Sequence, residues 1–434
     1  MVELEGEIKM RYTNYFEQLK IAIPLLMEEH HVPGLSIAVV NKKKVVFSAL
    51  YGYTDLSKMT PIMRTTPFSV QSISKTYTAF GFILAVQDCT VLLDDPLKKY
   101  VPAFSVKHKD GQDYSHEITF RHLLKHRSGL AHEAPVGNNF VYGAFEEHIR
   151  SINDTYLRFK PDEQYSYSNL GMDLVAYALA QIYNWPFDEY MKEKVFIPLE
   201  MSNSTFNQAE FLEQMDSAVG HDKTSLPKHP ISMLGAGGMY SCANDMARFV
   251  ICFLNQGVYN GKKIMDEDLL RRMYNEYPIS DSWTYHLGME AGLWNKRVLL
   301  NHNGGGFGFY ATQDILPENG FGAVVLTNSV NHPNIQRSIV RNMWNDFFEM
   351  QDSGLEDCKP LHEAYIQYIG VYEAVYNGGV WKLAVYPRNG KLFCNNQELI
   401  GHEPGVFFTK ANDCIQFDYG KLAYNYVSLQ KRTE

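Results

Sequence analysis

The apolar pattern of this chain changes period once, and that change most limits what it can fold into. Up to Met350, runs with helical spacing alternate with β-rich runs; beyond Pro360 the pattern is β throughout. The two regimes meet at Gln351-Asp352-Ser353-Gly354, a polar stretch with turn character. Helical and period-two segments present apolar residues in different geometry, so one repeating architecture cannot serve both. The reading is a mixed domain over residues 1–355 and an all-β domain over 360–434. A length of 434 residues accommodates this, at roughly 100–200 residues per domain.

In the first region an amphipathic helix is expected from Tyr15 to His30, ended by Val32-Pro33-Gly34. Leu35 to Val40 and Val45 to Tyr51 are β-rich runs around Asn41-Lys42-Lys43-Lys44, which reads as a hairpin. Ile73 to Val91 has helical spacing with Tyr77, Phe80, Ile83 and Leu84 on one side, and Asp94-Asp95-Pro96 ends it. Further helices are expected at Arg121–Lys125, Leu170–Tyr183, Asp245–Leu254 and Ile339–Met350, and strands at Arg297–Asn301 and Gly322–Leu326. Strands at both ends with helices between them predict an α/β (α+β) unit whose sheet combines the first and last segments. In the tail, Asn389-Gly390 is a two-residue hairpin signal. The tail has room for about eight strands of ~5 residues. A small barrel is the expected closure, because it leaves no strand edge exposed.

Composition removes several classes of function. A formal net charge of -9 disfavours general binding to nucleic acid or anionic membranes. The start of the chain has no basic segment followed by an apolar run, so a cytoplasmic protein is expected, or one whose leader has been removed. Six cysteines, at 89, 242, 252, 358, 394 and 414, include no Cys-x-x-Cys pair; buried free thiols are expected.

Three short patterns carry chemistry. Ser72-Ile73-Ser74-Lys75 fits Ser-x-x-Lys, as do Ser225/Lys228 and Ser428/Lys431, but only Ser72 opens a long apolar helix. Three residues on, Lys75 shares its helix face, and the helix N-terminus favours developing negative charge. Taken alone, a Ser cap followed by a solvated Lys explains the pattern better. Tyr167-Ser168-Asn169 precedes a helix; its phenol can act as acid or base, and Asn169 can orient Lys75 or donate to a substrate amide. Alone it reads as a turn. His302-Asn303-Gly304-Gly305-Gly306 follows a strand, where a Gly305 N–H can join the Ser72 N–H as oxyanion donor; alone it reads as a glycine-rich turn.

In this order the three patterns resemble the serine β-lactamase and penicillin-binding protein superfamily, and within it the class C β-lactamase-related branch of DD-peptidases, D-aminopeptidases and esterases. Thr119-Phe120-Arg121-His122-Leu123-Leu124-Lys125-His126-Arg127-Ser128-Gly129-Leu130, Gly237-Gly238-Met239-Tyr240-Ser241 and Asp245-Met246-Ala247-Arg248-Phe249 look like segments of that branch. The resemblance spans about residues 15 to 350, and the tail resembles lipocalin-like barrels. It implies a central antiparallel sheet flanked by helices. Ser72 matches the nucleophile, and Lys75 and Tyr167 the proton-moving pair, with the base undecided between them. Asn169 matches the support for Lys75. His302 stands for the Lys of Lys-Thr-Gly, with Asn303, Gly304 and Gly305 completing the substrate edge.

No metal or organic cofactor is implied. The expected partner is a small molecule or short peptide, and an oligomer is possible. Asn303 stands where many relatives have a Thr that helps hold a substrate carboxylate, which favours an aminopeptidase- or esterase-like substrate. A peptidase of DD-peptidase or D-aminopeptidase type, a carboxylesterase and a catalytically idle binding protein are the competing readings. His302 is expected to titrate near pH ~6.5, making the charge of the site adjustable near neutrality. His122 and His126, at i and i+4, can share a helix face as metal ligands do; with no third ligand evident they read as structural.

Overall fold

The computed structural model describes residues 12–432 except 139, 353–358, 377–378, 412, 419 and 425–426. Ser353 and Gly354 of the expected junction, and Cys358, lie outside the described residues. Contacts divide the chain into Gly34–Val330 and a second unit of Met1–Pro33 with Asn331–Glu434.

The larger unit starts with the expected hairpin. Strands β1 (Gly34–Asn41) and β2 (Val45–Asp55) pair antiparallel, and Asn41 Oδ1 accepts from the N–H groups of Lys43 and Lys44 to close the turn. β3 is Thr60–Pro61. The remaining strands come late: β4 (Thr284–Tyr285), β5 (Glu290–Trp294), β6 (Arg297–Gly306), β7 (Phe309–Leu316) and β8 (Phe321–Thr327). Their order is β4-β5-β6-β7-β8-β1-β2-β3, so the first and last segments of the unit meet where β1 pairs with β8, Leu35 opposite Thr327. Two features depart from the expectation. β5 and β7 were not anticipated, and the glycine run is not a turn: β6 continues through it to Gly306. The turn falls at Phe307-Gly308, both at positive φ.

Four helical segments matter for the site: α1 (Ser74–Gln87), α2 (Asn169–Tyr183), the single turn α3 (Leu234–Gly237) and α4 (Ala243–Leu254). α1 is not the one-sided helix its spacing suggested, for every residue from Ser74 to Ala85 is buried. Its polar side chains are satisfied inside: Tyr77 Oη donates to Gln313 Oε1, Thr76 Oγ1 to Gly288 O and Thr78 Oγ1 to Gly235 O. Phe249 of α4 packs on Tyr77 at 4.3 Å between ring centroids. Gly322 lets α4 approach β8, since a Cβ there would lie 2.4 Å from Val250 Cγ1. Cys242 and Cys252 are buried free thiols, whereas Cys89 is exposed, against expectation.

The second unit groups two helices with the tail, where the sequence reading divides the chain at 355–360. Helices Thr13–Glu29 and Ile335–Asp352 pack with the tail because they share buried polar groups with it. Tyr15 Oη donates to Asp346 Oδ2 at 2.9 Å, and Arg388 Nε lies 2.9 Å from the same oxygen. Gln18 accepts from Gly390 N–H and donates to Lys359 O. The tail is a closed barrel of eight strands, from Gly370–Tyr376 to Val427–Lys431, which pair with each other at Tyr372 and Lys431. Asn389 and Gly390 both take positive φ between paired Arg388 and Lys391, as their hairpin requires. Leu383, Val385, Leu392, Phe407, Ile415, Leu422 and Leu429 fill a core of this barrel. Among the described residues, no helix is long and apolar enough to cross a membrane.

Candidate active site

Ser72 lies in a 3-10 turn, Gln71–Ile73, that leads into α1. Gln71 has φ of +51°, a left-handed conformation costly for a non-glycine residue. Its neighbours hold it there. Gln71 Nε2 donates to Ser69 Oγ, Ser74 Oγ donates to Gln71 O, and Ser74 Oγ in turn accepts from Met239 N–H. Ser72 is therefore a half-exposed hydroxyl on a rigid turn at the mouth of a buried helix.

One turn on, Lys75 is completely buried. Its Nζ donates to Ser72 Oγ at 3.1 Å and to Ala236 O at 2.8 Å. Burial pulls its pKa down to about 7, opposed only in part by the charge of Asp173, so a neutral amine is populated at neutral pH. Tyr167 lies with its ring centroid 4.7 Å from Nζ and shares a hydrogen bond with Ser72. Burial pushes its phenol well above its ordinary value, so it keeps its proton rather than ionising beside the cation.

Asn169 is the first residue of α2, after Ser168 as N-cap, whose Oγ accepts from Gly171 N–H. Asn169 N–H donates to His132 O. Among the described residues, no hydrogen bond joins the Asn169 side chain to Lys75; the second hold on the ammonium is the Ala236 carbonyl. The small residues of 235–238 make that hold possible, since a Cβ on Gly235 would lie 2.4 Å from Met172 O.

β6 brings in the third pattern. β5 ends opposite Asn301, so among the described residues no strand pairs with 302–306 on that edge. Gly304 is where the strand meets the Ser72 turn: a Cβ there would sit 2.1 Å from Val70 O. Gly305 is exposed beyond it. His302 Nδ1 lies 2.8 Å from Asn303 O, which can only accept, so Nδ1 carries the proton and Nε2 accepts from Tyr285 Oη at 3.0 Å. Burial, with Lys75 nearby, lowers the His302 pKa to about 3. The expectation of a charge adjustable near neutrality is therefore wrong: His302 is neutral there. Asn303 is tied up by its neighbours, its Nδ2 donating to Asn301 Oδ1 and its Oδ1 accepting from Thr312 Oγ1.

His122 and His126 do not share a helix face, because the helix closes at Leu124. His122 caps it, accepting at Nδ1 from Thr119 N–H, while His126 takes φ of +55°. The His126 ring lies 4.4 Å from those of both Tyr167 and Tyr285, and its Nδ1 accepts from Ser168 N–H. Sequence reasoning missed Ala236 and Tyr285. The small-residue run Gly235–Gly238 is a signal for the first; the second has none.

A buried amine that can be neutral, one hydrogen bond from a hydroxyl, is a means of activating that hydroxyl as a nucleophile. A family model described as beta-lactamase matches residues 22–342. The chain belongs to the beta-lactamase family. It is 27% identical over 318 residues to the D-alanyl-D-alanine-carboxypeptidase/endopeptidase AmpH of Escherichia coli, covering 68% of this chain and 80% of that one. It is 28% identical over 211 residues to Protein flp of Staphylococcus aureus, 48% of this chain and 41% of that protein, so it spans about two fifths of that relative. Its fold is similar to the octameric penicillin-binding protein homologue of Pyrococcus abyssi, with a TM-score of 0.66, 22% identity and 96% of each chain covered. The family, the mixed fold and the barrel agree with the reading of the sequence.

Proposed function

We propose that this family member is a serine hydrolase that works through an acyl-enzyme on Ser72. The observation that carries the proposal is the buried Lys75 amine 3.1 Å from Ser72 Oγ. Neutral Lys75 takes the proton as Oγ attacks the substrate carbonyl, and the N–H groups of Ser72 and Gly305 hold the oxyanion. Tyr167, still protonated when Oγ attacks, gives its proton to the leaving group and is reprotonated by the Lys75 ammonium, which makes Lys75 the base of the pair. Water then releases the acyl group by the same route in reverse.

The substrate class follows from charge. His302 is neutral where relatives place a lysine, and the Asn303 side chain is engaged by Asn301 and Thr312. Neither offers a cation or a free hydroxyl to a terminal carboxylate. The reading is an amidase or peptidase of D-aminopeptidase type, with DD-peptidase action, as the name of AmpH suggests, and esterase action as its competitors. The lipocalin-like reading of the barrel remains a proposal about strand arrangement only.

Intact mass after incubation with a fluorophosphonate tests the nucleophile: one adduct is expected on the protein, none on Ser72→Ala, and full labelling of Ser225→Ala. An adduct mapped to another serine refutes the site. Rates on D- and L-aminoacyl amides, β-lactams and nitrophenyl esters then separate the substrate classes. A preference for carboxylate-bearing peptides would overturn the argument from His302 and Asn303.

A further inference from the structure

Behind Lys75 lies a buried ion pair that the chemistry above does not use. Ala236, whose carbonyl accepts from Lys75 Nζ, donates its own N–H to Asp173 Oδ1 at 3.0 Å. Asp173 Oδ2 lies 2.9 Å from His148 Nε2, and His148 Nδ1 lies 2.7 Å from Val136 O. Asp173 and His148 are both fully buried. The ring is also clamped sterically, because a Cβ on Gly137 would lie 2.6 Å from its Nδ1.

The partners fix the protons. One nitrogen of His148 faces a carbonyl and the other a carboxylate, so both face acceptors and the ring is held as an imidazolium. The pair is thus a carboxylate turned toward Lys75 and a cation turned away.

We propose that Asp173 and His148 are positioning residues for Lys75, Asp173 fixing the Ala236 peptide that holds the amine and His148 neutralising Asp173 so that the amine can give up its proton. The inference rests on Lys75 being the base, as argued above.

The other groups facing these residues do not substitute for the pair. His126, Tyr167 and His302 face Lys75 from the neighbouring loops and β6. Burial keeps both imidazoles neutral and the phenol protonated, leaving Asp173 as the negative charge acting on the amine. Glu133 adds to the field at His148, whose pKa is raised by Asp173 in spite of burial.

The two halves of the pair must act on Lys75 in opposite directions. In Asp173→Asn the side chain still accepts from Ala236 N–H, but the charge is gone and the amine loses affinity for its proton. In His148→Gln the carboxylate loses its counterion and Lys75 gains affinity. Titration of lysine labelled at Cε with ¹³C, followed by NMR on the full chain, reads this directly, with the Lys75 signal assigned by its loss in Lys75→Met. The expected midpoints move down in Asp173→Asn and up in His148→Gln, each by about half a pH unit or more, roughly threefold in proton affinity. Midpoints that stay put or move together overturn the proposal.

A buried-pair variant can fail to fold, so the unmutated protein supplies a second measurement. ¹⁵N-histidine NMR must show His148 protonated on both nitrogens at pH 7, and a neutral His148 overturns the proposal by itself. The pH profile of Ser72 phosphonylation separates the two claims. Opposed Lys75 midpoints in a protein that no fluorophosphonate labels at Ser72 support the pair and refute the acyl-enzyme reading.

Discussion

Replacing Lys75 by methionine should abolish Ser72 labelling and yet stabilise the protein, by an amount that depends on pH. In the unfolded chain the amine has its ordinary value of 10.5, and in the fold burial lowers it to about 7. Between those values the unfolded state binds more protons than the folded one, so stability rises with pH across that window and falls as pH drops toward 7. At about 1.4 kcal/mol per unit, Lys75 costs roughly 4–5 kcal/mol at pH 7, about 2 kcal/mol at pH 9, and close to nothing above pH ~10.5. Methionine fills the same channel with apolar atoms but leaves Ala236 O without its donor, worth about 1–3 kcal/mol. The variant should therefore be more stable than the parent by about 2–3 kcal/mol at pH 7, and the difference should shrink by about 2–3 kcal/mol on going to pH 9. Guanidinium unfolding of both proteins at pH 6, 7, 8 and 9 measures it, and taking the difference cancels the other titrating groups. A difference that does not change with pH would show that Lys75 is charged in the fold, and with it the assignment of the base would go.

Other outcomes are accessible to simple assays. Phosphonylation of Ser72 should rise with pH through about 7, where Lys75 gives up its proton; His302→Gln should lower the rate by roughly tenfold without moving that midpoint by more than about half a unit, since His302 is already neutral. A midpoint that follows the histidine would reassign the limb. Gly304→Ala puts a methyl 2.1 Å from Val70 O, and should cost about 1–3 kcal/mol in a melt together with most of the labelling; unchanged labelling would mean that β6 does not shape the site. Removal of everything beyond residue 352 should lower the melting temperature of what remains, because Asp346 loses Arg388 and Gln18 loses Gly390 and Lys359; an unchanged transition would place the two terminal helices outside the barrel unit.

What the sequence revealed depended on whether a local rule sufficed. The hairpin around Asn41 and the Asn389-Gly390 turn were legible because turn chemistry acts within a few residues. Ser72 and Lys75 were legible only in company: helical spacing puts them on one face, but that pattern alone favoured a capping Ser with a solvated Lys, and the order of the three patterns singled them out. β7 was not, since residues 309–316 are buried at all but one position and show no alternation to read. Nor was the strand through Gly304-Gly305-Gly306, where glycine answers the close approach of Val70 rather than a turn. The hold of Ala236 on Lys75 was not legible for a related reason: it reaches the amine through its carbonyl, and a backbone group leaves no mark in side-chain identity. The error over His302 was one of environment, for the residue type supplies a reference pKa and only the fold supplies the burial that moves it.

The pairing of β1 with β8 sets a clock on the birth of the site. A ribosome delivers Leu35 early, but its partner Thr327 arrives only after almost the whole unit has been made. At about 5–20 residues per second that interval is roughly 15–60 s. Throughout it the strand carrying Leu35, Ile37 and Val39 has no β8 to cover its outer edge, and the helix of Ser72 has no β6 against which to set its turn. A nascent chain of this protein therefore spends its longest exposure with one edge of an apolar strand unpaired, and the Ser72 turn meets its glycine strand only when the last strands of the sheet have closed.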